Sequence, residues 1–91
     1  MWRLEFERSF QKSFRGLHPQ TQNQIADFLE ELQNNPCNPN ELPNFQYLTN
    51  RPNQGRIRIG KYRIGVTIDL KEEIIFFNFV GSRGDFYKQF R

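Results

Sequence analysis

The 91-residue sequence holds one cysteine and one histidine, and none of its apolar runs approaches the length of a membrane-spanning helix. A single cysteine, Cys37, allows neither an internal disulfide nor a cysteine metal cluster. A single histidine, His18, excludes a catalytic histidine pair. No grouping of Asp or Glu with His or Cys suggests a metal, and no cofactor is expected. Without a run of about 18 apolar residues, no transmembrane helix and no membrane partner are expected. The first residues, Met1-Trp2-Arg3-Leu4-Glu5, alternate and carry acid, unlike a signal peptide. These absences together suit a protein of the reducing cytoplasm.

What the sequence does have is phenylalanine and an uneven charge. Ten Phe stand among the 36% of apolar residues, so a few large side chains must supply much of the buried area. The length predicts one domain, residues 1–91, with a modest core. Residues 1–50 carry four Lys/Arg against six Asp/Glu, and residues 51–91 carry nine against four. The basic excess in the second half points to an anionic partner there, or to a slightly basic solvated face.

The pattern predicts an α+β fold: an N-terminal strand, a two-helix hairpin packed on a small, mostly antiparallel sheet, and a short C-terminal helix. Trp2, Leu4 and Phe6 alternate with charged residues, as in a strand with one buried face. Ser9 is placed to cap a short helix carrying Phe10, Phe14 and Leu17, ending at Gly16. His18-Pro19 opens a second helix. In it Ile25, Phe28, Leu29 and Leu32 fall at i, i+3, i+4 and i+7, and Asn34-Asn35-Pro36 stops it. Residues 36–44 form a loop. Phe45 to Leu48 is extended, and Thr49 to Gln54 is a second loop. Three strands follow: Arg56 to Ile59, Tyr62 to Leu70 and Ile74 to Val80. Asp85 to Arg91 is expected to be helical, with Asp85 as its cap.

Between the first two of these strands, Gly60-Lys61 suits a two-residue type II′ turn. That turn pairs Ile59 with Tyr62, Arg58 with Arg63, Ile57 with Ile64 and Arg56 with Gly65. The isoleucines then share the core face, and Arg56, Arg58 and Arg63 share the other. Like charges directly opposite one another are destabilising, and a guanidinium cannot shed its proton to relieve them. The triad is best explained if an anion lies across it, with Gly65 leaving the surface open to a ligand backbone. The plain alternative is that the arginines only keep the face soluble, which mixed charges would do equally well. A turn at Lys71-Glu72 pairs Val66 with Phe77 and Ile64 with Phe79, and places Phe76 and Asn78 on the arginine face. The two glycines of Gly81-Ser82-Arg83-Gly84 predict a tight turn that delivers Arg83 and Tyr87 near the strand end. Tyr87 reads equally as a packing aromatic.

Two stretches carry a family resemblance. One is Gly55-Arg56-Ile57-Arg58-Ile59-Gly60-Lys61-Tyr62-Arg63-Ile64-Gly65. The other is Phe79-Val80-Gly81-Ser82-Arg83 followed by Asp85-Phe86-Tyr87. In these stretches and in element order, over nearly its whole length, the chain resembles the RelE/ParE toxin superfamily, and within it the RelE-type mRNA interferases. The resemblance implies the toxin of a type II toxin–antitoxin pair, an endoribonuclease that cuts mRNA, usually in the ribosomal A site. Arg56 and Arg58 match the family's basic strand residues, which are often Lys. Arg63 matches the arginine of the next strand, Arg83 the one after the last strand, and Tyr87 the C-terminal catalytic or base-stacking tyrosine. The implied partners are mRNA, the ribosome and a small cognate antitoxin. Arg51, Lys61 and Lys88 are read as flanking RNA-binding cations.

The implied reaction is attack of an RNA 2′-hydroxyl on the adjacent phosphorus, which calls for a base, a charge clamp and an acid. Arg56, Arg58 and Arg63 supply a clamp, each able to bind phosphate in bidentate fashion. Tyr87 is the one candidate base nearby, or else a stacking platform. Arg83 is the candidate for the leaving 5′-oxygen. Two other readings remain: a ParE-like toxin acting on DNA gyrase by protein contact, and a non-catalytic member that holds RNA or an antitoxin.

Overall fold

The computed structural model describes residues 1–89. Strand β1, Arg3–Phe6, leads into helix α1, Arg8–Arg15, and helix α2, Pro19–Asn34. A 3-10 turn at Pro39–Glu41 precedes four further strands: β2, Phe45–Tyr47; β3, Gln54–Ile59; β4, Tyr62–Asp69; and β5, Ile74–Ser82. Helix α3, Arg83–Gln89, follows directly. Of the expected helix to Arg91, positions 90 and 91 lie outside the described residues. The five strands form one sheet in the order β1-β5-β4-β3-β2. Strand β1 runs parallel to β5, and the other pairs are antiparallel. The first strand thus flanks the last, an arrangement the α1–α2 crossover makes possible.

One face of the sheet carries the core. Ile57, Ile64, Val66, Ile68, Ile75, Phe77 and Val80 pack against Phe10 of α1 and Ile25, Leu29 and Leu32 of α2. Helix α2 starts as the sequence predicts. Pro19 takes its first position, and the Nδ1 of His18 accepts from the amide of Gln20 at 3.1 Å. The only histidine is therefore a helix cap. Phe6 stacks on Phe77 at 4.9 Å between centroids, and Phe10 leans on both rings.

The first hairpin has the predicted register, with Arg56 opposite Gly65, Arg58 opposite Arg63 and Ile59 opposite Tyr62. Gly60 has φ +57 and Lys61 does not share it, as a type II′ turn requires. The second hairpin departs from expectation. Val66 does pair with Phe77, but Ile64 pairs with Val80 and Gly65 with Phe79. Asn78 is an extra residue in β5, a β-bulge that moves everything after it by one position. Leu70, expected on the buried face, lies outside the strand and is 62% exposed.

Helix α1 explains the bulge. Ser9 does not cap the helix: Glu7 is the cap position, with no side-chain cap bond. The Ser9 hydroxyl instead donates to the carbonyl of Asn78 at 2.6 Å. Ser13 Oγ accepts from the amide of Val80 at 3.0 Å. The Asn78 amide group donates to Glu7 Oε1, and Asn78 Oδ1 accepts from Thr67 Oγ1 at 2.9 Å. The groups a bulge leaves without ladder partners are thus met by side chains.

Candidate active site

The second face of the sheet carries the arginines. Period two on β3 puts Arg56 and Arg58 there, and Arg63 faces Arg58 across the β3–β4 ladder. Among the described residues, no acidic side chain forms an ion pair with any of the three; ion pairs occur elsewhere, as between the Met1 amino group and Glu73. Their contacts are neutral. Arg56 Nη2 donates to Gln46 Oε1 at 2.7 Å. Arg63 Nη1 donates to the carbonyls of Gly60 and Tyr62 at 3.2 and 3.1 Å, which holds it against the turn.

The bulge decides what else reaches this face. It places Phe79 opposite Gly65 and Gly81 opposite Arg63. The Phe79 ring lies 2.9 Å from where a Cβ on Gly81 would sit, so a larger residue at 81 would have to displace that ring. No tight turn intervenes after β5, because strand passes to helix between Ser82 and Arg83. Ser82, not Asp85, acts as the cap, its hydroxyl accepting from the amide of Asp85 at 3.2 Å. The spacing Ser82-x-x-Asp85 is a capping-box pattern legible in the sequence.

Helix α3 then lies against β4 and β5 on the arginine side. Phe86 is completely buried there, outside the main core. The sequence reading misses this anchor and its consequence: the face is not open along its length. Gly65 is itself buried, so the space it leaves serves the fold and not an incoming backbone.

Arg83 and Tyr87, one turn apart on α3, are brought together. The Arg83 guanidinium carbon stands 5.5 Å from the centroid of the Tyr87 ring, a cation–π distance. Phe86 meets Tyr87 edge to face at 5.7 Å. Tyr87 is 47% exposed and lines a groove of about 320 Å³ together with Arg56 of β3, Arg51 of the β2–β3 loop and the β2 residues Gln46 and Tyr47. The proton affinity of Arg63 reflects its neighbours. Burial, then the charges of Arg56 and Arg58, lower it from the ordinary arginine range; Tyr87 acts against them, and Arg83 with them. Arg56, Arg58, Arg63, Arg83 and Tyr87 therefore occupy one electrostatic neighbourhood. Arg51 joins it through the groove. Lys61 is exposed at the hairpin turn and Lys88 exposed on α3, and neither lines the groove. Among the described residues, no three His, Cys, Asp or Glu side chains gather as a metal site would need.

The arrangement can hold one phosphate between several guanidinium groups, set an aromatic ring beside it, and stabilise added negative charge.

No protein-family model and no curated protein sequence matches the chain. Solved structures do. The chain superposes on a chain of the RelB–RelE antitoxin–toxin complex from Methanococcus jannaschii with a TM-score of 0.77 and 26% identity, covering 96% of this chain and 99% of that one. For the isolated E. coli RelE toxin the TM-score is 0.66 at 20% identity, covering 98% and 94%. For YafQ from E. coli it is 0.71 at 13% identity, covering 96% and 99%. Along essentially the whole of each chain, this protein thus has the fold of the RelE-type toxins.

Proposed function

We propose that this chain is the toxin of a type II toxin–antitoxin pair and that it is an endoribonuclease cutting mRNA on the ribosome without a metal. The observation that carries the reading is the convergence of Arg56, Arg58 and Arg63 on one sheet face with Arg83 and Tyr87 of the helix that lies against it, with no acidic side chain paired to the strand arginines among the described residues. Such a face repels itself unless a polyanion lies across it. The similarity to a toxin solved in complex with an antitoxin supports a cognate antitoxin as the resting partner.

In the proposed reaction the 2′-oxygen of a ribose bonds to the adjacent phosphorus, and the bond from phosphorus to the 5′-oxygen breaks. The 2′-proton goes to the base and the leaving 5′-oxygen takes a proton from water, leaving a 2′,3′-cyclic phosphate and a 5′-hydroxyl. Arg56, Arg58 and Arg63 bind the scissile phosphate and stabilise the extra charge of the pentacoordinate state. Tyr87 stands beside them as proton acceptor or as a platform for a base. Arg83, held over the Tyr87 ring, stabilises the leaving oxygen.

Mapping mRNA 5′ ends after induction, with and without ribosomes, tests the reading. Ends positioned on codons are expected. Gyrase-linked DNA breaks without such ends would replace it with the ParE-like activity, and neither signal would leave a binding protein.

A further inference from the structure

The strand arginines of the clamp have no carboxylate partner among the described residues, yet two of them are held in place. Arg63 is held by two backbone carbonyls, and Arg56 by one side chain, that of Gln46. Gln46 comes from the short edge strand β2 and stands directly opposite Arg56 in the β2–β3 ladder. Residues so paired share one face of the sheet with their Cβ atoms about 4.5–5.5 Å apart, so an amide at 46 is within reach of a guanidinium at 56. The scaffold fixes that register. Phe45, one residue earlier, faces the other way and packs against the core, its ring filling the space that a Cβ on Gly55 would need. The amide of Arg58 donates to the carbonyl of Asn44 at 3.1 Å, and the amide of Leu48 to the carbonyl of Gln54 at 2.8 Å, which pins both ends of β2. Gln46 Oε1 then accepts from Arg56 Nη2 at 2.7 Å, the length of a hydrogen bond with a charged partner. Both residues line the groove beside Tyr87.

A carboxylate at 46 would hold the guanidinium more firmly, but it would also cancel the charge that a phosphate needs. An amide holds the group and cancels nothing. We propose that Gln46 is a positioning residue of the clamp: its carbonyl oxygen fixes the Arg56 guanidinium in advance for a phosphate of the RNA and, being neutral, leaves the full cationic charge to that phosphate. The proposal rests on the reading that the arginine face takes RNA. Gln46 acts through Arg56 and touches no atom that reacts. Its contribution is the side-chain freedom that an untethered arginine would lose on binding, worth about two- to tenfold in affinity.

The test uses the full chain and an RNA hexamer bearing 2′-O-methyl groups throughout, which can bind but cannot be cut. Affinity is measured over a range of sodium chloride. The steepness of log affinity against log salt then counts the phosphates engaged, about 0.7 for each on a single strand. Arg56→Ala should reduce the steepness by about that amount. Gln46→Glu should reduce it as much, although it removes no arginine, because the new carboxylate pairs with Arg56. Gln46→Ala should keep the parent's steepness and weaken binding by about two- to tenfold, and it should add nothing once Arg56 is already alanine. A steepness unchanged by Gln46→Glu overturns the assignment. So does a loss from Gln46→Ala that persists in the Arg56→Ala background, which would mean that Gln46 meets the RNA itself. Equal unfolding midpoints exclude a folding defect, and a residue that merely secured β2 would not move the salt dependence. A parent protein that binds no hexamer would overturn the RNA reading and this assignment with it. Because the assay reads no cleavage, it separates the two ideas. Binding with this pattern but without mRNA ends in the mapping would overturn the nuclease and keep the role of Gln46; mRNA ends without the pattern would do the reverse.

Discussion

The two faces of one sheet are built from alternate residues of the same strands, and they obey opposite rules. On the core face the apolar side chains pack into one cluster. Ile57, Ile64, Val66 and Phe77 are fully buried under α1 and α2. On the other face Arg58 stands opposite Arg63, and the helix that covers part of it is anchored by one buried ring, Phe86. The first face stabilises the chain; the second spends some of that stability on a surface that improves only when something anionic arrives. Residues on the two faces should therefore fail in different ways when changed.

The largest contrast is between Phe77→Ala and Arg63→Ala. Removing the Phe77 ring opens a cavity among Phe6, Phe10 and the strands, which costs about 3–5 kcal/mol. That is a large part of the stability of a small domain, so chemical denaturation should find the variant mostly unfolded or nearly so. Arg63→Ala, and equally Arg83→Ala, should fold with a midpoint close to the parent's and lose more than tenfold in mRNA cleavage. Full toxicity of both arginine variants on induction would remove them from the site.

The same contrast explains what the sequence discloses. Period two sorts Ile57 from Arg56 and Arg58, and a two-residue turn sets the register, so the β3–β4 ladder and its arginine triad are legible in the order of the residues alone. The second hairpin is not, because a bulge adds one residue without changing composition. It is encoded by contacts between residues far apart in sequence: Ser9 and Ser13 of α1 with the backbone of Asn78 and Val80, and Glu7 with the Asn78 side chain. Local patterning has no access to such pairs; it reads Ser9 as a cap. Beyond the bulge the error carries on. Phe79 is expected in the core yet lies on the arginine face, and the buried role of Phe86 follows from where α3 is then launched. The Ser82-x-x-Asp85 cap, by contrast, is a local signal that patterning can find.

The bulge gives the next prediction. Asn78→Ala removes hydrogen bonds to Thr67 and Glu7 and should cost about 1–3 kcal/mol. Its second effect is specific to the arginine face. The bulge sets which side of β5 presents Gly81 and where α3 starts, so the variant should also lose cleavage beyond what its unfolded fraction accounts for. Activity that tracks the folded fraction alone would mean that the bulge merely supports the core.

A smaller effect of opposite sign is expected from Arg58→Thr. It removes one member of the like-charged pair and should raise stability by less than about 1 kcal/mol at low salt, while weakening RNA binding. The lowered proton affinity of Arg63 sets the sign. A cation whose proton is held less tightly in the fold than in the unfolded chain costs stability at every pH where it is charged, and relief comes only as pH rises through its folded value. For a guanidinium that range is strongly alkaline. Stability near neutrality should therefore respond to this pair through salt and not through pH, and the gain from Arg58→Thr should shrink as sodium chloride is raised. A gain that persists at high salt would point to strand propensity as its cause.

The smallest effect belongs to Cys37, away from both faces' chemistry. Burial raises its pKa, and Glu41 raises it further. A thiol held above its ordinary range is mostly protonated at neutral pH, and only the thiolate attacks an alkylating agent. The folded protein should therefore react with iodoacetamide several-fold more slowly than the denatured chain, while Glu41→Gln should react somewhat faster than the parent because one of the two causes is gone. The loss of this slow reaction in Phe77→Ala, but not in Arg63→Ala, would tie the thiol's protection to the core face alone.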